Sequence, residues 1–485
     1  MKLNELLNNI SLVALQGNDL TEINGVDIDS RKIKSGYLFV AIRGTQADGH
    51  LYIPKAIEQG AVAVMCEEMP EAQQAGVTYI QVDNTEDVVG QLATNFYGNP
   101  TAKLKLVGVT GTNGKTTIAT LLYNMFRKLG YKCGLLSTVC NYIDEKPVPA
   151  DHTTPGPIEL NALLAQMAEA GCQYAFMECS SHAIAQKRIG GLHFAGGIFT
   201  NLTRDHLDYH KTFENYLAAK MRIFRQARQA VVNRDDPHAE TILNALTIPY
   251  KTFGIREQAD ISASEIDITT RGVQFDMHCE PGNVRMYVPI PGLFSVFNAM
   301  GAAAAALQLG ISLPAIKNGI ETMGSVSGRL EPLPTGGRNF TVLLDYAHTP
   351  DALENILKTA RGFAKGRIVT LFGCGGDRDH AKRPIMGEIA GRFSDFLVVT
   401  SDNPRTEDPM AIIEAVLEGV HKSGCPHIVV ENRYEAIRYA LEHAEPEDVI
   451  ILAGKGHENY QEVGGGKRHF DEKEIVAELL GTNEK

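Results

Sequence analysis

A buried strand that runs into a glycine-rich turn and then into a helix constrains this chain more than any other feature. Leu106–Thr110 is apolar and β-rich, Gly111-Thr112-Asn113-Gly114-Lys115-Thr116-Thr117 follows, and a helical pattern opens after Lys115. Glycines let backbone N–H groups turn inward around an anion, and the helix adds its positive end. A lysine at this place reaches terminal phosphates, and the next threonine sets its hydroxyl on Mg²⁺. The commoner G-x-x-x-x-G-K-[ST] spacing fails, because Val109 stands where the first glycine would be. The shorter G-x-x-G-K-T form keeps the turn, the lysine and the hydroxyl. Strand, loop, Gly-Lys-Thr and helix in this order predict a nucleoside triphosphate site rather than an empty turn.

The same strand–loop–helix alternation organises the rest. Residues 1–98 carry short apolar strands (Tyr37–Ile42, Ala61–Met65, Tyr79–Val82) with helices between, and Gly98-Asn-Pro100 reads as a linker. Residues 99–330 repeat the pattern at Gly134–Val139, Tyr174–Met177, Gly197–Thr200 and Ala230–Asn233. Continuous apolar strands alternating with helices predict a mostly parallel sheet covered on both faces. Alternation in Val273–Met277 predicts a small antiparallel insertion, and a helix is expected over Phe297–Leu309. Residues 331–485 hold five more strands, Thr341–Asp345, Arg367–Phe372, Phe396–Thr400, His427–Val430 and Asp448–Ala453, which read as a Rossmann-like doubly wound sheet. The expected fold class is therefore α/β in three domains.

The chain carries 46 basic against 58 acidic residues, a net charge of −12, which argues against general nucleic-acid or anionic-membrane binding. No signal peptide and no membrane-spanning run is read, and eight scattered cysteines form no CxxC pair. Reduced thiols and a cytoplasmic location are expected.

Polar residues collect where strands end. Tyr174–Met177 runs into Glu178-Cys-Ser180-Ser-His182, and an acid at a neighbouring strand end suits a second Mg²⁺ contact. Gly197–Thr200 runs into a loop bearing Asp205, His206, Asp208 and His210; flanking acids make His206 a candidate ligand, with a structural role equally open. Lys220, in a helix-like run, reads alone as a solvated lysine. Asp345-Tyr-Ala-His348, Gly373-Cys-Gly-Gly-Asp-Arg378, Asp402-Asn403-Pro404-Arg405 and Gly454-Lys-Gly-His-Glu458 follow strands of the third unit. Arg405 could pair bidentately with a carboxylate or make an ordinary surface salt bridge, and Glu458 could receive an ammonium group.

Taken together these motifs, with Asp29-Ser30-Arg31, Gln46-Ala-Asp-Gly49 and His152-Thr-Thr-Pro155, resemble the Mur ligases of bacterial peptidoglycan synthesis along the whole chain. The G-x-x-G-K-T loop is that family's form. The resemblance implies ATP and Mg²⁺ as cofactors. It implies that Ile28, Ser30, Thr45, Gln46 and Ala47 hold the uridine end of a UDP-linked substrate. His152, Thr153, Thr154, Ser180, Gln186 and Arg188 would meet its muramyl-dipeptide portion. Gly111 to Thr117, Asn298, Arg329 and Asp345 resemble ATP contacts. Thr116, Glu178 and His206 match Mg²⁺ ligands, Lys220 matches a lysine that the family carbamylates to bridge metal ions, and Lys115 and His348 match catalytic groups. Arg378, Asp402, Asn403, Pro404, Arg405, Gly454 and Glu458 look like the site for the incoming amino acid.

The implied reaction activates the D-glutamate carboxylate of UDP-N-acetylmuramoyl-L-alanyl-D-glutamate as an acyl phosphate and joins it to an amine. The resemblance implies that Arg405 selects the amine donor, and favours meso-diaminopimelate over L-lysine. Meso-diaminopimelate carries a carboxylate on its far end where lysine carries none, and a guanidinium built to pair that group would stand unpaired over lysine. Lysine-adding relatives have a neutral residue there. A folylpolyglutamate synthetase has a similar ATPase domain, but the segment with Ser30 and Gln46 argues against it. A monomer acting on small molecules, without nucleic acid or membrane insertion, is expected.

Overall fold

The computed structural model describes residues 1–44, 47–150, 152–269, 271–322 and 327–482. Thr45 and Gln46, expected at the uridine end, lie outside them. Three large sheets and a two-stranded hairpin, Tyr460–Val463 with Gly466–His469, divide the described chain.

The first sheet has the spatial order Ala14–Gln16, Thr78–Gln81, Ala61–Cys66, Tyr37–Val40, Gly25–Asp27; the first strand is antiparallel and the others are parallel. Helix Thr85–Phe96, capped by the Asn84 side chain, covers one face.

The central sheet has eleven strands. From Ile261–Thr269 to Cys133–Leu136 every neighbouring pair is parallel. The apolar runs Leu106–Thr110 and Tyr174–Glu178 are buried throughout, as strands covered on both faces must be. The antiparallel strands Gly272–Cys279 and Gly282–Val288 continue this sheet at one margin, and the hairpin Asn141–Ile143 with Lys146–Val148 closes the other. The strand expected over Gly134–Val139 stops at Leu136, because the Asn141 side chain takes the Ser137 N–H and turns the chain. Helix Leu293–Gln308 starts before the expected Phe297. Its alanines Ala302 to Ala306 let it approach the sheet and helix Lys115–Lys128 closely.

The third sheet runs Glu331–Leu333, Thr341–Asp345, Val449–Ala453, Ile368–Phe372, Phe396–Val399, His427–Val429, parallel except for the first strand. Helices Pro350–Phe363, Lys382–Phe393 and Pro409–Ser423 fill one face, and Arg433–Glu442 and Glu472–Leu480 the other. The last two helices are joined by a fully buried ion pair, Arg433 Nε to Glu472 Oε1 at 2.8 Å, with Arg433 Nη2 also donating to the Ala453 carbonyl.

Removing one member of such a pair strands a charge in an apolar layer. Glu472→Ala should cost about 3–5 kcal/mol in urea unfolding, whereas replacing Arg433 and Glu472 together by apolar residues of similar volume should cost far less.

Candidate functional site

Strand register builds the site. Glu178 pairs with Val109 and Phe199 with Thr110, so three adjacent parallel strands end level and their loops converge. Gly111 sits at φ +147°, and a Cβ there would lie 1.9 Å from Thr200 Oγ1. That closeness lets Thr200 Oγ1 donate to the Asn113 carbonyl at 2.5 Å. Asn201 braces the same loop, its carbonyl accepting Thr112 N–H and its side chain accepting Asn113 N–H, both at 2.8 Å. Helix Lys115–Lys128 has no capping side chain at Gly114, so its first-turn N–H groups are left for an anion. Lys115 Nζ donates to the Gly111 and Thr112 carbonyls at 3.0 and 2.7 Å. Asn298 Oδ1 lies against Gly114.

The expected metal ligands meet at this loop. Thr116 Oγ1 donates to Glu178 Oε2 at 2.9 Å, and Thr138 N–H donates to the other carboxylate oxygen. His206 stacks edge-on to His182 at 4.6 Å and pairs with Asp205. Burial, opposed by Asp205, pushes the His206 pKa down to about 4, which keeps a lone pair available at neutral pH. Lys220 overturns its reading as a solvated lysine: it is 1% exposed, because helix Phe213–Met221 turns it onto the Tyr216 ring and the Gly111 carbonyl, 2.8 Å away. Burial first and the neighbouring Lys115 second hold its amine well below the ordinary lysine range. Among the described residues no three His, Cys, Asp or Glu side chains form a metal cage. A hydroxyl touching a carboxylate beside a phosphate loop nevertheless fits Mg²⁺, which takes few protein oxygens and completes its shell with phosphate and water.

The dipeptide residues form one network. Thr154 Oγ1 donates to the Glu178 carbonyl and accepts Ser180 N–H, Thr138 Oγ1 donates to Thr153, and Arg188 donates to the Thr154 carbonyl and to Gln186. The Gln186–Arg188 turn abuts the first sheet's domain, where Asp87 pairs with Lys187 and Gly90 packs on Gly190. His152 is exposed. Ser30 opens a short turn capped by Asp29 and is buried, whereas Ile28 and Ala47 are exposed on the same domain.

The third sheet's domain closes onto the loop. Arg329 Nη2 donates to Thr116 Oγ1 at 3.2 Å, and Asp351 Oδ2 accepts from Asn113 Nδ2 at 2.7 Å and Thr203 Oγ1 at 3.0 Å. Asp345 spends both carboxylate oxygens on the Leu330 and Ala347 N–H groups and so sets the segment that carries Arg329. The exposed His348 uses Nδ1 on the Tyr346 carbonyl, which can only accept, so Nδ1 carries the proton.

The amino-acid motif is equally knit. Asn403 Nδ2 donates to Glu458 Oε2, and the fully buried Lys455 donates to Asn403 and Glu458. Burial and Asp402 push the Glu458 carboxyl up, against Lys455. Gly454 lies against Asp402. A Cβ on Gly376 would sit 1.9 Å from the Pro404 carbonyl, so only glycine lets the two loops touch. Arg378 and Arg405 flank Gly375. Asn201, Asp351, Lys455 and Glu462 were not singled out from the sequence. Asp351 had a signal, an acid just after Pro350 at a helix start, but that reads first as helix capping.

A phosphate loop, an acid and a buried lysine at level strand ends, closed by a second α/β sheet, define a nucleotide-driven ligase site. The chain matches the Mur ligase family's catalytic domain over residues 22–97, the Mur ligase middle domain over 109–306, and the Mur ligase glutamate ligase domain over 328–456. It belongs to the Mur ligase family. It is 50% identical, over 99% of its length and all of the relative's, to the UDP-N-acetylmuramoyl-L-alanyl-D-glutamate–2,6-diaminopimelate ligase of Phocaeicola vulgatus. A solved structure of an enzyme of that name is 32% identical with a TM-score of 0.72, each chain covered to 99%. MurF ligase from Thermotoga maritima in complex with ADP shares the fold at 17% identity and TM-score 0.63, over 96% of this chain and 99% of that one.

Gly111→Ala should weaken binding of a fluorescent ATP analogue roughly tenfold or more, because the methyl group meets Thr200 and the backbone is strained. Gly130→Ala, also at positive φ but with no atom near its Cβ, should leave nucleotide affinity unchanged.

Proposed function

We propose that this chain is an ATP-dependent amide ligase that joins meso-diaminopimelate to the D-glutamate carboxylate of UDP-N-acetylmuramoyl-L-alanyl-D-glutamate, yielding the UDP-linked tripeptide, ADP and phosphate. The carrying observation is the docking of the Asp402–Arg405 domain onto the phosphate loop and its neighbour through Asp351–Asn113 and Asp351–Thr203. The names of the half-identical relatives support the substrate pair. Residues 1–98 would serve the UDP end, 99–330 ATP, and 331–485 the amino acid. A monomer in the cytoplasm suits small-molecule substrates, and no helix of the described residues is long and apolar enough to cross a membrane.

When bound, Mg²⁺ offsets the triphosphate charge, and Thr116, Glu178, His206 and carbamylated Lys220 would hold it. Lys115 adds a fixed positive charge at the loop. The substrate carboxylate oxygen attacks the γ-phosphorus and the bond to the ADP oxygen breaks. The free amine then attacks the acyl carbon, the carbon–oxygen bond to phosphate breaks, and the amine proton leaves. Asn403, Glu458 and Arg405 would orient the donor. Lys220, buried and held well below the ordinary lysine range, would be the nucleophile for its own carbamylation: its nitrogen bonds the carbon of CO₂ and releases a proton.

ADP release should require both the UDP-linked dipeptide and meso-diaminopimelate. L-lysine should be used on the order of 10⁴-fold less efficiently. Arg405→Ala should lower kcat/KM for diaminopimelate about a hundredfold and erase most of that preference. Equal use of both amino acids by the unmutated enzyme would sink the specificity reading.

Carbon-13 bicarbonate should label Lys220 with a carbamate carbon visible by NMR. Lys220→Arg should lack the signal and lose activity.

A further inference from the structure

The hairpin Tyr460–Val463 with Gly466–His469 lies just beyond the Gly454–Glu458 motif. Its first strand docks edge-on along Asp402–Arg405. Gln461 Nε2 donates to the Asp402 carbonyl at 2.6 Å, and Glu462 N–H donates to Asn403 Oδ1 at 3.0 Å. Arg405 N–H donates to the Glu462 carbonyl at 3.0 Å, and Gly464 N–H donates to the Arg405 carbonyl at 2.8 Å. Arg405 sits at φ +54°, a left-handed conformation that is unfavourable for a residue with a side chain. Both of its backbone polar groups are held by the hairpin, which sustains that conformation.

The side chain is held too. Arg405 Nε donates to Glu462 Oε2 at 3.1 Å, and Nη1 donates to the Gly376 carbonyl at 2.7 Å. A guanidinium has five donors arranged in forks. Glu462 takes the Nε donor, and Gly376 takes one donor of Nη1 and fixes the rotation of the plane. Three N–H groups are left over, one on Nη1 and both on Nη2. A second carboxylate cannot share the Nε fork with Glu462, since like charges would meet at hydrogen-bond distance. Arg405 and Glu462 are 20% and 29% exposed, so water competes only in part for this pair.

We propose that Glu462 is a specificity-positioning residue: by engaging Arg405 Nε it directs the remaining Nη donors to the distal carboxylate of the amino-acid substrate. This rests on the diaminopimelate reading above. Glu462 touches no substrate atom; it acts through Arg405.

The test is steady-state kinetics of the full-length enzyme with each substrate varied in turn. Glu462→Ala should raise KM for meso-diaminopimelate about tenfold or more, the scale of a lost hydrogen bond to a charged group. Its kcat and its KM for ATP should stay within about twofold, because the phosphate loop is untouched. Use of L-lysine should not fall, so discrimination narrows. Glu462→Gln keeps an acceptor oxygen and should restore most of the affinity. A general loosening of the hairpin would instead lower kcat and shift every KM together, and that result overturns the proposal. So does an unchanged KM for diaminopimelate in Glu462→Ala with an unaltered unfolding midpoint. Failure of the unmutated enzyme to release ADP in response to diaminopimelate would bring down the substrate reading and this inference with it, and is recognised before any variant is made.

Discussion

Two amines compete for one carbonyl at the centre of this molecule. Lys115 and Lys220 both donate to Gly111, one from the helix that follows the loop and one from a helix a hundred residues on. Burial holds both amines below the ordinary lysine range, and for Lys220 the neighbouring Lys115 adds to it. The more deeply buried Lys220 is the more strongly shifted of the two. The phosphate loop therefore does more than cradle phosphate. Its first glycine anchors the side chain whose protonation the loop's own lysine depresses, and the level strand ends bring Glu178 to the same spot.

Around that centre the chain uses backbone contacts where precision is needed and side chains where charge is needed. Thr200 and Asn201 hold the loop through carbonyls and N–H groups, and Asp345 fixes the segment that carries Arg329 in the same way. Arg405 is tied to its hairpin by backbone and side chain at once.

Strand positions and strand-end motifs were legible in the sequence, because parallel strands buried on both faces leave continuous apolar runs that stop where polar loops begin. The order of strands within a sheet was not. Lys105–Thr110 lies between Tyr174–Glu178 and Phe194–Phe199, and that follows from crossover packing, which no local pattern records. Lys220 was misread from its residues alone because its helix is short and weakly amphipathic, so nothing in the period marks the buried face; the resemblance, by contrast, gave it a role in the site. The hairpin carrying Glu462 escaped notice for a different reason. It is partly to fully exposed along its length, mostly polar, and turned by Gly464-Gly-Gly466, so it reads as loop. Short edge strands such as Glu331–Leu333, with a proline inside, were invisible for the same lack of contrast.

The Asp351 contacts bear on how fragments of this chain should be read. A polypeptide ending at helix Leu313–Glu321 would retain the whole glycine-rich loop, Lys115, Glu178 and Lys220. It would lack the carboxylate that restrains Asn113 and Thr203, and the guanidinium that reaches Thr116. Nucleotide affinities, inhibitor screens or thermal shifts obtained on such a truncated piece would describe a half-walled pocket. Compounds ranked on it would be selected for a cavity that the intact enzyme does not possess.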